Sequence, residues 1–299
     1  MMQAAATTAR SGPGTVRNAI ATAVAPLGHS KAGLAGAVGI AVLLGASLVG
    51  PLVVPSPYVS DTAHIYEAPS AAHWLGTDFA GRDNLALVIY GGADILLLAV
   101  LAGILTTLVG AAVGAIGAYL GGRVDALLTG LTDVWLTVPR FILLIVIASV
   151  VRIDSTVTLA VLIAIFSWPA LARLIRSQVL SLRRREFVEA AQLLDLGTPH
   201  IVSRELLPNM MAYIVISLIG GMTQAIYAQT SLVLLGVVPL ASNWSVLFSL
   251  AYNRGALSDA SAAWSLMAPM GAIVLLQLCL VLVARGLEEA FNPRLRTER

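Results

Sequence analysis

Six long apolar stretches constrain the fold of this chain more than any other feature of its sequence. A helix needs about 20 mostly apolar residues to cross the 30 Å hydrocarbon core of a bilayer, because each residue adds about 1.5 Å. Such stretches lie at residues 32–54, 95–119, 126–151, 155–172, 210–235 and 260–284. Only 11% of the residues are charged, against about 25% in soluble domains, which excludes an ordinary water-exposed surface. The predicted fold class is all-α, a polytopic membrane protein with six transmembrane helices, because lipid offers no partner for open backbone groups.

The basic residues are distributed unevenly between the two sides that six spans define. Membrane proteins keep an excess of arginine and lysine on the cytoplasmic side. With the N-terminus inside, the outer loops hold only Arg82, Arg152 and Arg254. The inner segments then hold Arg10, Arg17, Lys31, Arg123, Arg173, Arg176, Arg183, Arg184, Arg185, Arg204, Arg285, Arg294, Arg296 and Arg299. The sequence therefore predicts that both termini are cytoplasmic.

This topology divides the chain into three parts. Residues 1–31 form a cytoplasmic N-terminal segment, residues 32–288 form the membrane domain, and residues 289–299 form a cytoplasmic tail. The first span is interpreted as an uncleaved helix, because its apolar stretch is longer than the roughly 7–15 residues of a signal peptide core.

The inner segment at residues 173–209 is the longest and most charged connection on its side. Residues 182–194 (LRRREFVEAAQLL) are predicted to form an amphipathic helix, with an apolar face made of Phe187, Ala190, Ala191 and Leu194. After a break at residues 195–197, a second short helix is predicted to begin with Thr198 as N-cap and Pro199 at its first position. Two interpretations stay open: a helical knob projecting into the cytoplasm, or helices lying flat on the lipid headgroups.

Two outer connections carry polar or amphipathic sequence. The first, residues 55–93, contains the motif LGTDFAGRD. The second, residues 239–259, contains LASNWSVLFSLAY (240–252), which is too short to span a bilayer. That piece is predicted to lie at the outer interface or to re-enter the membrane, with Trp244 at headgroup level. Anchoring in the interface and gating of a path are the two alternatives for it.

Polar residues inside the spans mark a candidate path through the membrane. On the fifth span these are Gln224, Tyr227, Gln229 and Thr230, with interhelical hydrogen bonding as the alternative role. Asp133 and Arg140 lie seven residues apart on the third span, two turns along one predicted face, and are interpreted as structural or as lying near the inner boundary. The four histidines lack metal-ligand spacing, so no metal site is predicted, and Cys279 is interpreted as a small packing residue.

Four motifs in a fixed order resemble one known family. In the 173–209 segment, Glu189-Ala190-Ala191 is followed by Ile201 and by Leu207-Pro208, which is similar to the EAA loop of ABC importer permeases. Further similar pieces are LGTDFAGRD (75–83), the YLGG-V-D stretch (119–125), WPALARLIRSQVLSLRRREFVEAA (168–191) and FNPRLR (291–296). Over residues 32–296 the chain resembles the second permease subunit of dipeptide, oligopeptide and nickel importers.

The resemblance implies a type I ABC importer permease that forms half of a translocation pore for di- or oligopeptides in the plasma membrane of a bacterium. The implied partners are a second homologous permease, two ABC ATPase subunits and an extracytoplasmic substrate-binding protein, with no nucleic acid. ATP and Mg²⁺ would be bound by the ATPase subunits, because Lys31 lacks the glycine pattern of a phosphate-binding loop. No cofactor, catalytic residue or enzymatic activity is therefore expected in this chain.

The resemblance also suggests where contacts and gates lie. Coupling to the ATPase is expected from Glu186, Glu189, Ala190, Ala191, Asp195, Gly197, Arg204, Leu207 and Pro208. Candidate residues of an outer gate or loop are Asp78, Arg82, Asp83, Asn243 and Trp244. Asp195 replaces a glycine that the family usually has six residues after the motif's glutamate. The turn there is expected either at Asp195, since aspartate tolerates the left-handed region better than most residues, or at Gly197.

Other functions are weighed against this one. The tract AYNRGALSDASAAW (251–264) is longer than in typical peptide permeases and is closer to the oligosaccharide-importing branch, so oligosaccharides or nickel are alternative cargoes. A secondary transporter would need more ionisable residues in its spans and inverted repeats. A membrane enzyme would need paired carboxylates, a histidine cluster or a nucleophile motif, and the sequence shows none of these.

Overall fold

The computed structural model describes residues 30–238 and 243–291, and this part of the chain is built almost entirely from α-helices. We number them α1 (Lys31–Val53), α2 (Asn84–Leu120), α3 (Gly122–Thr137), α4 (Arg140–Val150), α5 (Thr156–Leu182), α6 (Glu186–Leu193), α7 (the contiguous turns Thr198–His200, Ile201–Leu206 and Leu207–Asn209), α8 (Met211–Leu234), α9 (Trp244–Asn253) and α10 (Ala263–Phe291). The middle turn of α7 has π geometry. The predicted terminal segments lie outside the described residues, apart from Ser30, Lys31 and residues 289–291.

Five of these helices are individually long and apolar enough to cross a membrane: α1, α2, α5, α8 and α10. The sixth predicted span, residues 126–151, is not one straight helix. It is divided into α3 and α4, which meet at a bend of 80°. The cause is Pro139, which has no N–H to donate and forces Val138 out of the helical region, to φ −87° and ψ 131°.

Two predicted span boundaries also move. Helix α2 begins at Asn84 rather than at residue 95, because Asp83 caps it by accepting a hydrogen bond from the Ala86 N–H (2.9 Å). Helix α5 continues past residue 172 to Leu182 although it contains Pro169. A proline leaves the carbonyl four residues before it without a helical donor, and here the Trp135 indole N–H donates to that carbonyl, Ile165 O, at 3.2 Å.

Small residues let α2 pack at the centre of the bundle against α1, α5 and α8. A Cβ on Gly110 would lie 3.0 Å from Leu171 Cβ, and one on Gly114 would lie 3.0 Å from Ile175 Cβ. In the same way Gly36 of α1 lies against the α10 backbone near Val283 and Cys279. Close backbone approach of this kind provides the van der Waals contact that holds helices together in lipid.

The bundle has two distinct ends. At one, which we call the α6 end, the C-terminal parts of α2 and α5 meet α6 and α7. At the other, which we call the α9 end, the loop of residues 55–83 meets α9 and the start of α10. Helix α2, with 37 residues, is about 55 Å long and connects the two ends.

Candidate functional site

Helices α6 and α7 are fixed to the α6 end by one apolar cluster. It contains Val188 and Ala191 of α6, Ile201, Val202 and Leu206 of α7, Ala115 and Ala118 of α2, and Ile175 and Val179 of α5. Val188, Leu206, Ile175 and Val179 are completely enclosed. The apolar side of α6 is therefore occupied by protein and is not available to lie on lipid. Helix α5 runs without interruption from the membrane-spanning part of the bundle into this cluster, so α5 and α6 are joined by the same close packing.

The opposite side of α6 is open and carries both charge and apolar surface. Glu186, Glu189 and Ala190 are exposed, and Leu193 and Leu194 are 88% and 73% exposed. The predicted apolar face is thus partly wrong: Ala191 and the half-buried Phe187 face the bundle, but Ala190 and Leu194 face outward and Val188 was not included. Of the remaining predicted coupling residues, Arg204 and Gly197 are exposed, while Leu207 and Pro208 are half-buried.

The turn between α6 and α7 is made at Asp195, not at Gly197. Asp195 has φ +54°, whereas Gly197 has φ −60° and is the N-cap of α7, a position predicted for Thr198. The Leu196 N–H donates to Ala191 O (3.1 Å) and the Asp195 N–H donates to Gln192 O (2.9 Å). These two bonds form a Schellman motif, in which the left-handed position is usually glycine.

The effect of a substitution at Asp195 on stability is expected to depend on how well the new residue tolerates the left-handed backbone conformation. Asp195→Gly should leave the free energy of unfolding unchanged or slightly raised. Asp195→Val should lower it by about 1–2 kcal/mol, because a β-branched residue is strained in the left-handed region. The measurement is thermal unfolding of the purified chain in detergent. Gly197→Ala is the control, since a Cβ there would meet only Pro199 Cδ at 3.8 Å; a loss at Gly197 equal to that at Asp195 would contradict the assignment of the turn.

Two ion pairs connect α3 to α5 near the α6 end. The Arg176 guanidinium donates two hydrogen bonds to the Asp125 carboxylate, at 2.6 and 2.7 Å, and Arg173 donates to Asp133 at 2.6 Å. Both pairs line a cavity of about 160 Å³ between α2, α3 and α5. Asp133 and Arg140 do not share a face as predicted, because the 80° bend lies between them.

One exposed face of α8 is polar along the middle of the helix. Gly220, Gln224 and Tyr227 follow one another at helical spacing and are all exposed, with Tyr227 at 53%. The Gln224 side chain accepts a hydrogen bond from Arg140 Nη2 at 3.1 Å. An exposed amide and a guanidinium within a spanning segment are costly in lipid, so this face is suited to water or to another subunit. We call Gly220, Gln224 and Tyr227 the α8 polar face.

The other two candidate path residues lie inside the chain. Gln229 is completely buried, and neither amide atom of its side chain has a hydrogen-bond partner among the described residues. Thr230 is half-buried and shares a hydrogen bond of 2.9 Å with Ser245 of α9. Of the four candidate path residues, only Gln224 and Tyr227 are therefore exposed on α8: Gln229 points to the opposite side of the helix, and Thr230 lies between the two sides and is turned toward α9.

At the α9 end, the candidate loop residues form a compact hydrogen-bonded turn. Asp78 is buried; it accepts two hydrogen bonds from the Arg82 guanidinium (2.8 and 2.6 Å) and two from the backbone N–H groups of Ala80 and Arg82. Asp83 caps α2 and is bonded to His73 Nδ1 at 2.9 Å. The same turn packs on α9, with Arg254 3.5 Å above the Phe79 ring. These side chains hold the loop in place and leave little of Asp78 free for a substrate.

A surface ion pair lies beside this turn. The Asp61 side chain, hydrogen-bonded to His64 Nδ1 at 2.8 Å, raises the pKa of His64, and the same bond lowers the pKa of Asp61. The attraction is present between the lowered pKa of Asp61 and the raised pKa of His64. It is lost as the pH rises through the pKa of His64 and as the pH falls through the pKa of Asp61. Both groups are exposed, so the pair contributes little to stability.

Asn243 and Trp244 begin α9 and are both buried. Asn243 is the N-cap, accepting hydrogen bonds from the N–H groups of Ser245 and Val246. Trp244 is 1% exposed, lies against Gly91 and Gly92 of α2, and donates its indole N–H to Val88 O at 2.6 Å. Of the two alternatives for this piece, anchoring through a lipid-exposed Trp244 does not agree with this burial, because the glycine pair provides a protein site for the ring.

Sequence reasoning did not find two features of these sites. The Asp125–Arg176 pair connects residues 51 positions apart, so no local pattern reveals it. The outward position of Leu193 and Leu194 was also not predicted. The sequence offered one signal for it: the two leucines are adjacent and stand at the end of a short helix, directly before the turn at Asp195.

These features define a class of protein. A membrane-embedded helical bundle carries a short helix rigidly attached to one end and a polar face within the membrane, as expected of a transport component. The chain matches, over residues 107–297, the family described as binding-protein-dependent transport system inner membrane component. The match covers more than half of the chain, so the protein belongs to this family, whose members are multi-pass permease subunits of importers.

Similar proteins are named as peptide permeases. A protein of Brucella abortus, provisionally named a peptide permease protein, is 39% identical over 272 residues, covering 89% of this chain and 88% of its own. The dipeptide transport system permease protein DppC of Bacillus subtilis is 30% identical over 275 residues, covering 90% and 84%. The oligopeptide transport system permease protein OppC of Mycobacterium tuberculosis is 29% identical over 275 residues, covering 91% and 93%.

Proposed function

We propose that this protein is the permease subunit of an ATP-driven importer of di- or oligopeptides and forms half of its pore. The names of its relatives support peptides as the cargo. The single observation that carries the mechanism is the attachment of α6: its inner side is locked into the cluster with α5, and its outer side is open. A short helix held in this way can be gripped by another protein and can pass motion into the membrane.

The proposed binding partner of α6 is a separate ATPase subunit. Glu189 offers a charged hydrogen-bond acceptor, Ala190 allows close approach, and the exposed Leu193 and Leu194 offer apolar surface to bury on a partner. Two such ATPases, carrying ATP and Mg²⁺, would serve this chain and a second homologous permease. Closure of the ATPase pair would displace α6 and α5 and so alternate the pore between inward- and outward-facing states.

The α8 polar face is the proposed lining of that pore in this chain. A substrate-binding protein would deliver peptide at the α9 end, and the α6 end would lie in the cytoplasm. The arginines of the described segments at the α6 end, more numerous than those at the α9 end, support this orientation.

The direct test of the function is reconstitution. The chain is assembled in proteoliposomes with its second permease, ATPases and binding protein, and uptake of a labelled tripeptide is measured with ATP and with a non-hydrolysable analogue. ATP-dependent uptake is the expected result. Uptake of an oligosaccharide or of nickel, with none of peptide, would contradict the proposed cargo.

Cysteine labelling tests the orientation. Ser203 is exposed on α7 and Ser60 is exposed in the loop at the α9 end. In whole cells, a membrane-impermeant maleimide is expected to label Ser60→Cys and to leave Ser203→Cys unlabelled until the cells are opened. The wild-type chain is the background control, since its Cys279 is buried. Labelling of Ser203→Cys in intact cells would reverse the topology.

A further inference from the structure

Arg140 is a cation in the broken span, and within residues 30–238 and 243–291 no carboxylate balances its charge. It stands at the start of α4, directly after the bend at Pro139. Among the described residues no Asp or Glu oxygen lies within 4.0 Å of its guanidinium. Asp133 of the same broken span is paired with Arg173 instead. The side-chain partner of Arg140 is the neutral amide of Gln224.

The hydrogen bond to Gln224 places Arg140 beside the middle of α8 (Met211–Leu234). It lies ten residues before the end of α4 at Val150, and Gln224 lies ten residues before the end of α8 at Leu234. At 1.5 Å per residue both are about 15 Å from those helix ends, which is about half of a 30 Å hydrocarbon core.

The surroundings of Arg140 are open rather than closed. Gln224 and Tyr227 are exposed on the α8 polar face, and Arg140 itself is only partly buried. A guanidinium has five N–H donors in a planar fork that matches a carboxylate, and the bond to Gln224 uses one of them. The structure thus presents an uncompensated positive charge, with free donors, on the surface proposed to line the pore.

We propose that Arg140, positioned by Gln224, binds the C-terminal carboxylate of the peptide during its passage through the pore. This inference rests on the proposed function, because it concerns the cargo of the same path. Every unmodified peptide carries this carboxylate whatever its side chains, so one fixed arginine serves cargoes of varied sequence. A charge-assisted bidentate contact within the membrane also compensates the carboxylate for the water that it loses.

The test compares two forms of one peptide in the complete importer. Labelled trialanine with a free C-terminus and its C-terminal amide are each supplied on binding protein at a concentration that saturates it, and uptake into proteoliposomes is measured. The wild-type importer is expected to transport the free acid faster. Arg140→Gln is expected to reduce uptake of the acid about tenfold or more, as for loss of a charged hydrogen bond, and to change uptake of the amide much less. ATP hydrolysis stimulated by the binding protein should persist.

Two further variants make the result specific. Arg140→Lys keeps the charge and is expected to retain part of the preference for the acid. Arg152→Gln makes the same chemical change at an exposed position just beyond α4 and is expected to leave both uptake rates unchanged.

Three outcomes would overturn the inference. Equal loss of acid and amide uptake in Arg140→Gln would indicate a structural role, and no loss of either would indicate none. Loss of the second permease from the purified Arg140→Gln complex would indicate that Arg140 pairs with a carboxylate of that subunit. Failure of the wild-type importer to take up either peptide would refute the proposed function itself. This result can be told apart from the other three because it appears without any substitution at Arg140.

Discussion

Glu189→Lys is expected to abolish peptide uptake while the chain remains folded in the membrane. Glu189 is exposed on the open side of α6, opposite the buried Val188 and Ala191 that hold the helix in the cluster. Reversing its charge removes a charged hydrogen bond to the proposed ATPase, worth about 1.5–3 kcal/mol or roughly 10–100-fold in affinity, and adds repulsion toward the same group. The measurements are ATPase subunits retained on the purified complex and ATP-dependent uptake.

The control for Glu189→Lys is Glu288→Lys. Glu288 is exposed on the last turns of α10 and has no proposed contact with the ATPase, so retention and uptake should be those of the wild type. Normal ATPase retention and normal uptake in Glu189→Lys would refute the docking role of α6. Loss of the chain from the membrane would indicate a folding defect, which the burial of Val188 and Ala191 on the other side of the helix gives no reason to expect.

Trp244→Ala is expected to lower the free energy of unfolding by about 3–5 kcal/mol, as for truncation of a large buried aromatic side chain. Trp244 is 1% exposed and lies against α2 at Gly91 and Gly92, so its truncation would leave a cavity between α9 and α2. Trp244→Phe keeps most of the packing and loses the bond to Val88 O, so a loss of about 1–2 kcal/mol is expected. Unfolding of the purified chain in detergent gives both values.

Trp74 and Trp264 are matched controls for this substitution. Trp74 is 71% exposed and Trp264 is 37% exposed, so their replacement by alanine should change the free energy of unfolding by less than about 1 kcal/mol. If Trp244→Ala behaved like these two, Trp244 would not be the residue that joins α9 to α2.

The membrane-spanning helices and the character of the 173–209 segment were predictable from the sequence. The need to satisfy every backbone group inside lipid makes a run of apolar residues a helix whatever its neighbours are. The residues Glu189-Ala190-Ala191 and Leu207-Pro208 likewise carried the resemblance to importer permeases, which the family match confirms.

Other predictions failed where the outcome depended on a partner distant in sequence. The choice between Asp195 and Gly197 for the turn, which the sequence left open, was decided instead by two local hydrogen bonds of the Schellman motif. Tryptophan is a residue type typical of interfacial anchors, and only the glycine pair on α2 makes Trp244 a core residue. Pro139 and Pro169 look alike in the sequence. Helix α5 continues through Pro169, where Trp135 donates to the freed carbonyl, whereas the chain bends by 80° at Pro139, between α3 and α4.

The sequence by itself determined that the chain is a membrane-embedded helical bundle with a charged, two-helix segment on one side, because hydropathy and helix periodicity are local properties. Only the tertiary structure decided which side of α6 is open and which polar residues of α8 are exposed. It also decided that Asp125 and Asp133 are paired with arginines, whereas Arg140 has no carboxylate partner in the described part of the chain. Burial and charge compensation depend on which helices become neighbours, and chain contacts across 40 to 84 residues leave no periodic trace in the sequence.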